Sequence, residues 1–178
     1  MNRYTSESDY ISDLQSRASL PKGFKTSGLR FHFSPAELPG KKTYPMDLSL
    51  ISLDRPTDAF AGVFTKNAFT GAPVQMNREL IEAFDRRRFN GTQASLNGIR
   101  GVLINNKIAN VGAPGGLDDA RRLTENAARL IGGGSLFSAS TGVIGWKLPV
   151  DDMERSFNEL VAGLHQGNAV DLARRIMT

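Results

Sequence analysis

The residues best placed to do chemistry lie in SASTGVIGWKLP, residues 138–149. A short apolar run ends there in Ser140, Thr141 and Gly142, and a proline at 149 follows. The Thr141 hydroxyl and the Gly142 N–H are two donors that one turn can aim at a single point. Two aimed donors are what an oxyanion of acyl transfer needs. A plain glycine turn leading into a helix with proline in its first turn explains the same letters. A second glycine run, GAPGG at 112–116, stands between a strand pattern and a helix pattern, where backbone N–H groups can cradle an anion. It has neither the GxGxxG spacing nor a Walker lysine, and a tight strand-to-helix turn accounts for it equally. The two histidines, His32 and His165, show no spacing that joins them to a nucleophile or a metal. The chain has no cysteine, which excludes disulfides, thiolate zinc sites and a cysteine nucleophile.

Those residues need elements to hold them. RGVLINN (100–106) and SLFSAS (135–140) read as strands, with the amphipathic helix GLDDARRLTENAARLI (116–131) between them. Gly132, Gly133 and Gly134 supply the left-handed backbone that ends that helix. PVDDMERSFNELVAGL (149–164) is a second helix, with Asp151 and Asp152 in its first turn complementing the dipole. NAVDLARRIM (168–177) starts another, capped by Asn168. Upstream, MDLSLISLD (46–54) and FAGVFTKN (60–67) carry strand patterns, and Phe31, His32 and Phe33 alternate like a strand face. NRELIEAFDRRR (77–88) is expected to be a helix capped by Asn77, with Glu82 able to pair with Arg86. Strand, helix, strand, helix is one βαβ unit in an α/β or α+β domain.

With 178 residues, 40% hydrophobic and 22% charged, the chain has the composition of one globular domain. The net charge is +4, but Lys41–Lys42, Arg86–Arg88 and Arg174–Arg175 are scattered and not interleaved with aromatics. They read as solvated helix faces, so no nucleic-acid partner is expected. No run reaches the length of a membrane helix, and the polar start MNRYTSESDY is unlike a signal peptide. A cytoplasmic address and no membrane partner are expected. Residues 1–20 read as a flexible leader.

Three stretches, in order, resemble the ornithine acetyltransferases, also called glutamate N-acetyltransferases. They are DLSLISLDRPTDAFAGVFTKNAFTGAPV (47–74), SASTGVIGWKLPVDDME (138–154) and the closing ARRIMT (173–178). The resemblance runs from about Pro21 and makes residues 21–178 the α-chain part of an acyltransferase domain. It implies an α+β sandwich of the self-processing, N-terminal-nucleophile type, completed by a second chain. It further implies cleavage ahead of a threonine beyond Thr178, which becomes the nucleophile of the β-chain with its own α-amine as base. The activity implied is acetyl transfer from N-acetylornithine to glutamate through acetyl-threonine, in arginine biosynthesis, by an α2β2 assembly without cofactor or metal. Thr141 and Gly142 match the family's oxyanion donors, and Thr178 matches a threonine that contacts substrate. One run departs: NNKIANV (105–111) stands where the family has a run like NSGNANA, so Lys107 and Ile108 replace small or polar residues. A related self-processing acyltransferase or amidohydrolase acting on another amine therefore stays open, as does a non-catalytic binding domain.

Overall fold

A computed structural model of the chain describes residues 4–38, 40, 42–90 and 98–177, with the backbone alone for 87–90. The elements in chain order are α1 (Glu7–Arg17), β1 (Phe24–Phe33), β2 (Tyr44–Thr57), α2 (Ala72–Asn90), β3 (Ile99–Asn105), α3 (Gly116–Leu130), β4 (Ser135–Ser140), α4 (Val150–Ala162) and α5 (Ala169–Ile176). The strands form one sheet in sequence order, antiparallel from β1 to β3 and parallel between β3 and β4. A parallel neighbour needs a crossover, and α3 provides it. The mixed α/β class and the βαβ unit are as the sequence implies.

One face of the sheet is the core. Leu29, Met46, Leu48, Leu50 and Leu103 point to α3 and α4, which answer with Leu123, Ala127, Met153, Phe157 and Leu160. Apolar residues at i, i+3, i+4 and i+7 put these on one stripe of each helix. Arg122 ties the two helices outside, donating from Nε to Glu154 at 3.0 Å and from Nη2 to Asp151 at 3.0 Å.

The opposite face is divided. By the period-two alternation of strands, Phe24, Gly28 and Arg30 of β1 share it with Asp47, Ile51 and Leu53 of β2. At one end α5 lies over β1 and β2, with its cap Asn168 accepting from the Val170 N–H at 2.8 Å. Gln15 of α1 accepts from Asn168 Nδ2 at 3.2 Å, which brings the helix of the expected leader against α5. At the other end Phe24, Ile51, Leu53, Val102 and Phe137 line an open apolar groove of about 620 Å³.

Two expectations are corrected. Residues 60–67 form no strand: Phe60 packs edge-on against Phe84 and Phe137, and Val63 is 98% exposed. The composition suits a strand, but the segment is held by ring packing and has no ladder partner. Asn77 is not a cap. The helix begins five residues earlier at Ala72, with Pro73 in its first turn. Asn77 instead donates to the Ser138 carbonyl (2.9 Å) and accepts from the Ser138 N–H (3.0 Å). It satisfies backbone groups on the free side of β4, which would otherwise be an open sheet edge.

Candidate active site

The site is built where β3 and β4 end side by side, with Asn105 opposite Ser140. Beyond those ends the two chains keep pairing. The Thr141 N–H donates to the Asn105 carbonyl (3.1 Å) and the Val143 N–H to the Lys107 carbonyl (2.8 Å). The Ala109 N–H donates to the Val143 carbonyl (2.9 Å) and the Gly145 N–H to the Val111 carbonyl (2.8 Å). NNKIANV is thus the bed on which STGVIG lies. Ile108, fully buried, pins that bed to the core.

Gly142 explains why the turn needs glycine. Its φ is +134°, and a Cβ there would sit 2.1 Å from the Lys107 carbonyl carbon and 2.6 Å from the Ile108 nitrogen. Only hydrogen allows the two backbones this close. Across from it, Lys107 itself takes φ +68°, a left-handed conformation that costs a non-glycine residue free energy. Among the described residues, neither the Thr141 hydroxyl nor the Gly142 N–H has a hydrogen-bond partner. Two unspent donors on adjacent residues, held by a ladder on a strand end, are free to meet an external acceptor.

Beside this turn is a polar cluster that residue spacing does not reveal. Arg30 grips Asp47 with two parallel bonds, Nε to Oδ1 (2.9 Å) and Nη2 to Oδ2 (2.7 Å). Asn106 accepts from the Asp47 N–H (2.7 Å) and donates to Asp47 Oδ2 (3.0 Å). Its Nδ2 also donates to the carbonyls of Arg175 (2.9 Å) and Met177 (3.2 Å). Arg175 comes within 3.5 Å of Asp47 by crossing β1 at Gly28, where a Cβ would meet its Cδ at 2.4 Å. Asp47 is only 4% exposed. Burial opposes its charge, but hydrogen bonds from Arg30 and Asn106 and the charges of Arg30 and Arg175 outweigh it. The carboxyl is held below the ordinary aspartate value.

Register relates the cluster to the turn. Arg30 faces Asp47, Leu48 faces Asn105, and Asn105 faces Ser140. One residue further along, Asp47, Asn106 and Thr141 fall in line with Arg30. Extended one residue past the strand ends, the register sets these four residues in one transverse row, whose β1 and β2 part α5 covers, with neighbouring strands about 4.8 Å apart. The row gathers all three stretches that carry the family resemblance, together with the divergent NNKIANV run. Thr178, the third residue singled out from sequence, lies outside the described residues, but its neighbour Met177 is tied to the row. The other candidates lie elsewhere. GAPGG borders a separate cavity of about 280 Å³ at the start of α3. His32 is exposed on β1, and His165 pairs its backbone with Thr26 at 2.9 Å and 3.1 Å. Among the described residues no group of His, Asp or Glu is placed to hold a metal ion.

The profile of the ArgJ family matches residues 34–178. The chain belongs to the ArgJ family. Proteins named mitochondrial arginine biosynthesis bifunctional protein ArgJ are among its relatives in the family. That of Verticillium alfalfae is 44% identical over 75% of this chain and 26% of its own length. That of Arthroderma otae is 39% identical over 92% of this chain and 32% of its own. The chain thus spans about a quarter to a third of these ArgJ relatives. Its fold is that of solved ArgJ-family proteins. Ornithine acetyltransferase from Mycobacterium tuberculosis, crystallised with ornithine, superposes with a TM-score of 0.68 at 25% identity, over 91% of this chain and 80% of that one. The ArgJ protein of Bacillus halodurans superposes with a TM-score of 0.63 at 23% identity, over 88% and 73%. No described helix is long and apolar enough to cross a membrane.

Proposed function

We propose that this chain is the α-chain portion of an enzyme that moves an acetyl group from N-acetylornithine to glutamate through an acetyl-threonine intermediate. The observation that carries the reading is the Thr141–Gly142 turn, with two donors that have no partner among the described residues fixed side by side on a strand end. The nucleophile is a threonine exposed by self-cleavage beyond Thr178, on a β-chain that completes an α2β2 assembly. Its hydroxyl attacks the acetyl carbonyl of the donor while its own α-amine takes the proton. Negative charge then grows on the carbonyl oxygen, and the Thr141 hydroxyl and Gly142 N–H donate to it. Donors that need no rearrangement when charge appears lower the barrier more than donors recruited from water. Collapse expels ornithine and leaves the acetyl ester. Glutamate then attacks the ester through the same oxyanion position. Thr178 contacts the amino-acid substrate. The chemistry runs on hydroxyl, amine and backbone groups, so it calls for no metal or cofactor.

The test is acetyl transfer from N-acetylornithine to glutamate by the full-length, processed protein, with mass spectrometry of the trapped intermediate. Acetyl on the new N-terminal threonine supports the reading, and absence of turnover refutes it. Lys107 favours a second reading, because it puts a long cation beside Gly142, where the family has small residues. In an amidohydrolase of the same build, water replaces the amino-acid acceptor and free acetate is released. The names of the fungal relatives favour mitochondria over the cytoplasmic address read from the N-terminus, and cell fractionation distinguishes them.

A further inference from the structure

We infer that Asn106 is a positioning residue for this reaction, a latch that holds the segment leading to Thr178 in register with the oxyanion turn. The inference rests on the acetyl-transfer reading. Asn106 is 3% exposed, yet its side chain joins two parts of the chain far apart in sequence. It meets the backbone and carboxylate of Asp47 on β2, and the carbonyls of Arg175 and Met177 at the end of α5. The last two are carbonyls that a helix end leaves without intrahelical partners, so they are available to an outside donor. Asp47, Arg30 and Arg175 orient the amide. With one Asp47 oxygen bonded to Nδ2 and the Asp47 N–H bonded to Oδ1, the amide cannot flip without losing both contacts.

In the next strand position of the same row sits Thr141. One amide therefore fixes the distance between the segment bearing the substrate threonine and the turn bearing the oxyanion donors. No other described side chain bonds to the Arg175 or Met177 carbonyl. A displacement of about 1 Å in such a pair lowers rate by about 10²-fold. The cluster also has a purely architectural use, as a staple between β2 and β3. The two roles separate by charge exchange.

In the full-length protein, Asn106→Asp removes the donors to Met177 and Arg175 and sets two carboxylates together. Both thermal stability and kcat/KM should fall, the latter by about 10²-fold and mostly as raised KM for the amino acid. Adding Asp47→Asn exchanges amide and carboxylate and restores the link between β2 and β3, but returns no donor to the two carbonyls. The double variant should regain the part of Tm lost to carboxylate repulsion, short of the wild type because Arg30 and Arg175 lose their partner at 47, and should not regain kcat/KM. Recovery of both, or an Asn106→Asp enzyme with unchanged kcat/KM, overturns the inference and leaves a staple. Self-cleavage is checked first on a denaturing gel. If the variants fail to fold, or the double variant does not regain Tm, limited trypsin digestion of the wild type decides. Slow cutting after Arg175 supports the latch, and cutting as fast as after the exposed Arg86 refutes it. Should the wild type show no acetyl transfer, the reaction reading fails, while digestion still reports whether the segment is held.

Discussion

Replacing Gly142 by alanine and, separately, Gly145 by alanine should give very different proteins, although the two glycines stand three residues apart in one turn. Both have positive φ, +134° and +87°. Each alanine therefore pays a conformational cost of about 1–2 kcal/mol. At Gly145 nothing lies within 4 Å of the added Cβ, so that cost is the whole effect. At Gly142 the Cβ would lie 2.1 Å and 2.3 Å from the carbonyl carbon and oxygen of Lys107. These are backbone atoms, and no rotamer relieves the overlap. The two segments must part, which breaks the Val143 to Lys107 and Ala109 to Val143 bonds of 2.8 Å and 2.9 Å. Two lost backbone bonds at about 1 kcal/mol each add roughly 2 kcal/mol to the conformational cost. At about 2–4 °C per kcal/mol for a domain of this chain's size, and less in a longer protein, Gly142→Ala should melt a few degrees, at most roughly 4–8 °C, below Gly145→Ala. Differential scanning calorimetry of the full-length variants measures the gap, with acetyl transfer followed alongside. Melting points within a degree of each other would refute the claim that backbone contact, rather than φ alone, demands glycine at 142.

If Thr141 is an oxyanion donor as proposed, Thr141→Ala should lower kcat by roughly 10²–10³-fold with little change in substrate dissociation, because such a donor acts on charge that exists only in the transition state. Initial rates and equilibrium binding, measured after confirming self-cleavage, check it. Thr178→Val keeps shape and removes the hydroxyl, and should weaken substrate binding by about 1–3 kcal/mol with processing intact. A KM titration measures this, and acetyl found on Thr178 itself would contradict the role. Asp47 has its carboxyl lowered in the folded protein, so its contribution is present above the unfolded aspartate value and is lost as pH falls through the folded one. Asp47→Asn should therefore destabilise at neutral pH and flatten the acid limb of Tm against pH. Residues 1–178 on their own should aggregate or melt without cooperativity, since the apolar groove over Ile51, Val102 and Phe137 is open, and analytical ultracentrifugation reports it.

The second half of the chain was legible because its signals are local. The stripe of α3, the glycines that end it and the Asp-rich start of α4 each lie within one element, and β4 matches the expected 135–140. The first half was less so. Most of β1 escaped notice because its α5 face carries Thr26, Gly28 and Arg30, which hide the alternation. Segment 60–67 was misread because β-forming residues say nothing about a ladder partner. Thr141 and Gly142 stood out by residue type alone. Arg30, Asp47 and Asn106 did not, since they lie 17 and 59 residues apart and meet only through strand register. A signal did exist: Asp47 interrupts an apolar strand, and a buried carboxylate must find a cation and donors somewhere.

The row of Arg30, Asp47, Asn106 and Thr141, closed by the carbonyl of Met177, also sets a clock. Arg30 and Asp47 meet across neighbouring strands, but the contacts of Asn106 span 59 to 71 residues, so the whole row cannot form on an early piece of the chain. Synthesis at about 5–20 residues per second puts roughly 7–30 s between the emergence of Arg30 and that of Met177. Through that interval β1 and β2 can pair, but the carbonyls that Asn106 binds do not yet exist. The corner is thus a late product of folding, set after the long-range loops have closed. Under the proposed function, any bond-making or bond-breaking that depends on this corner must wait until the chain has been made through residue 177.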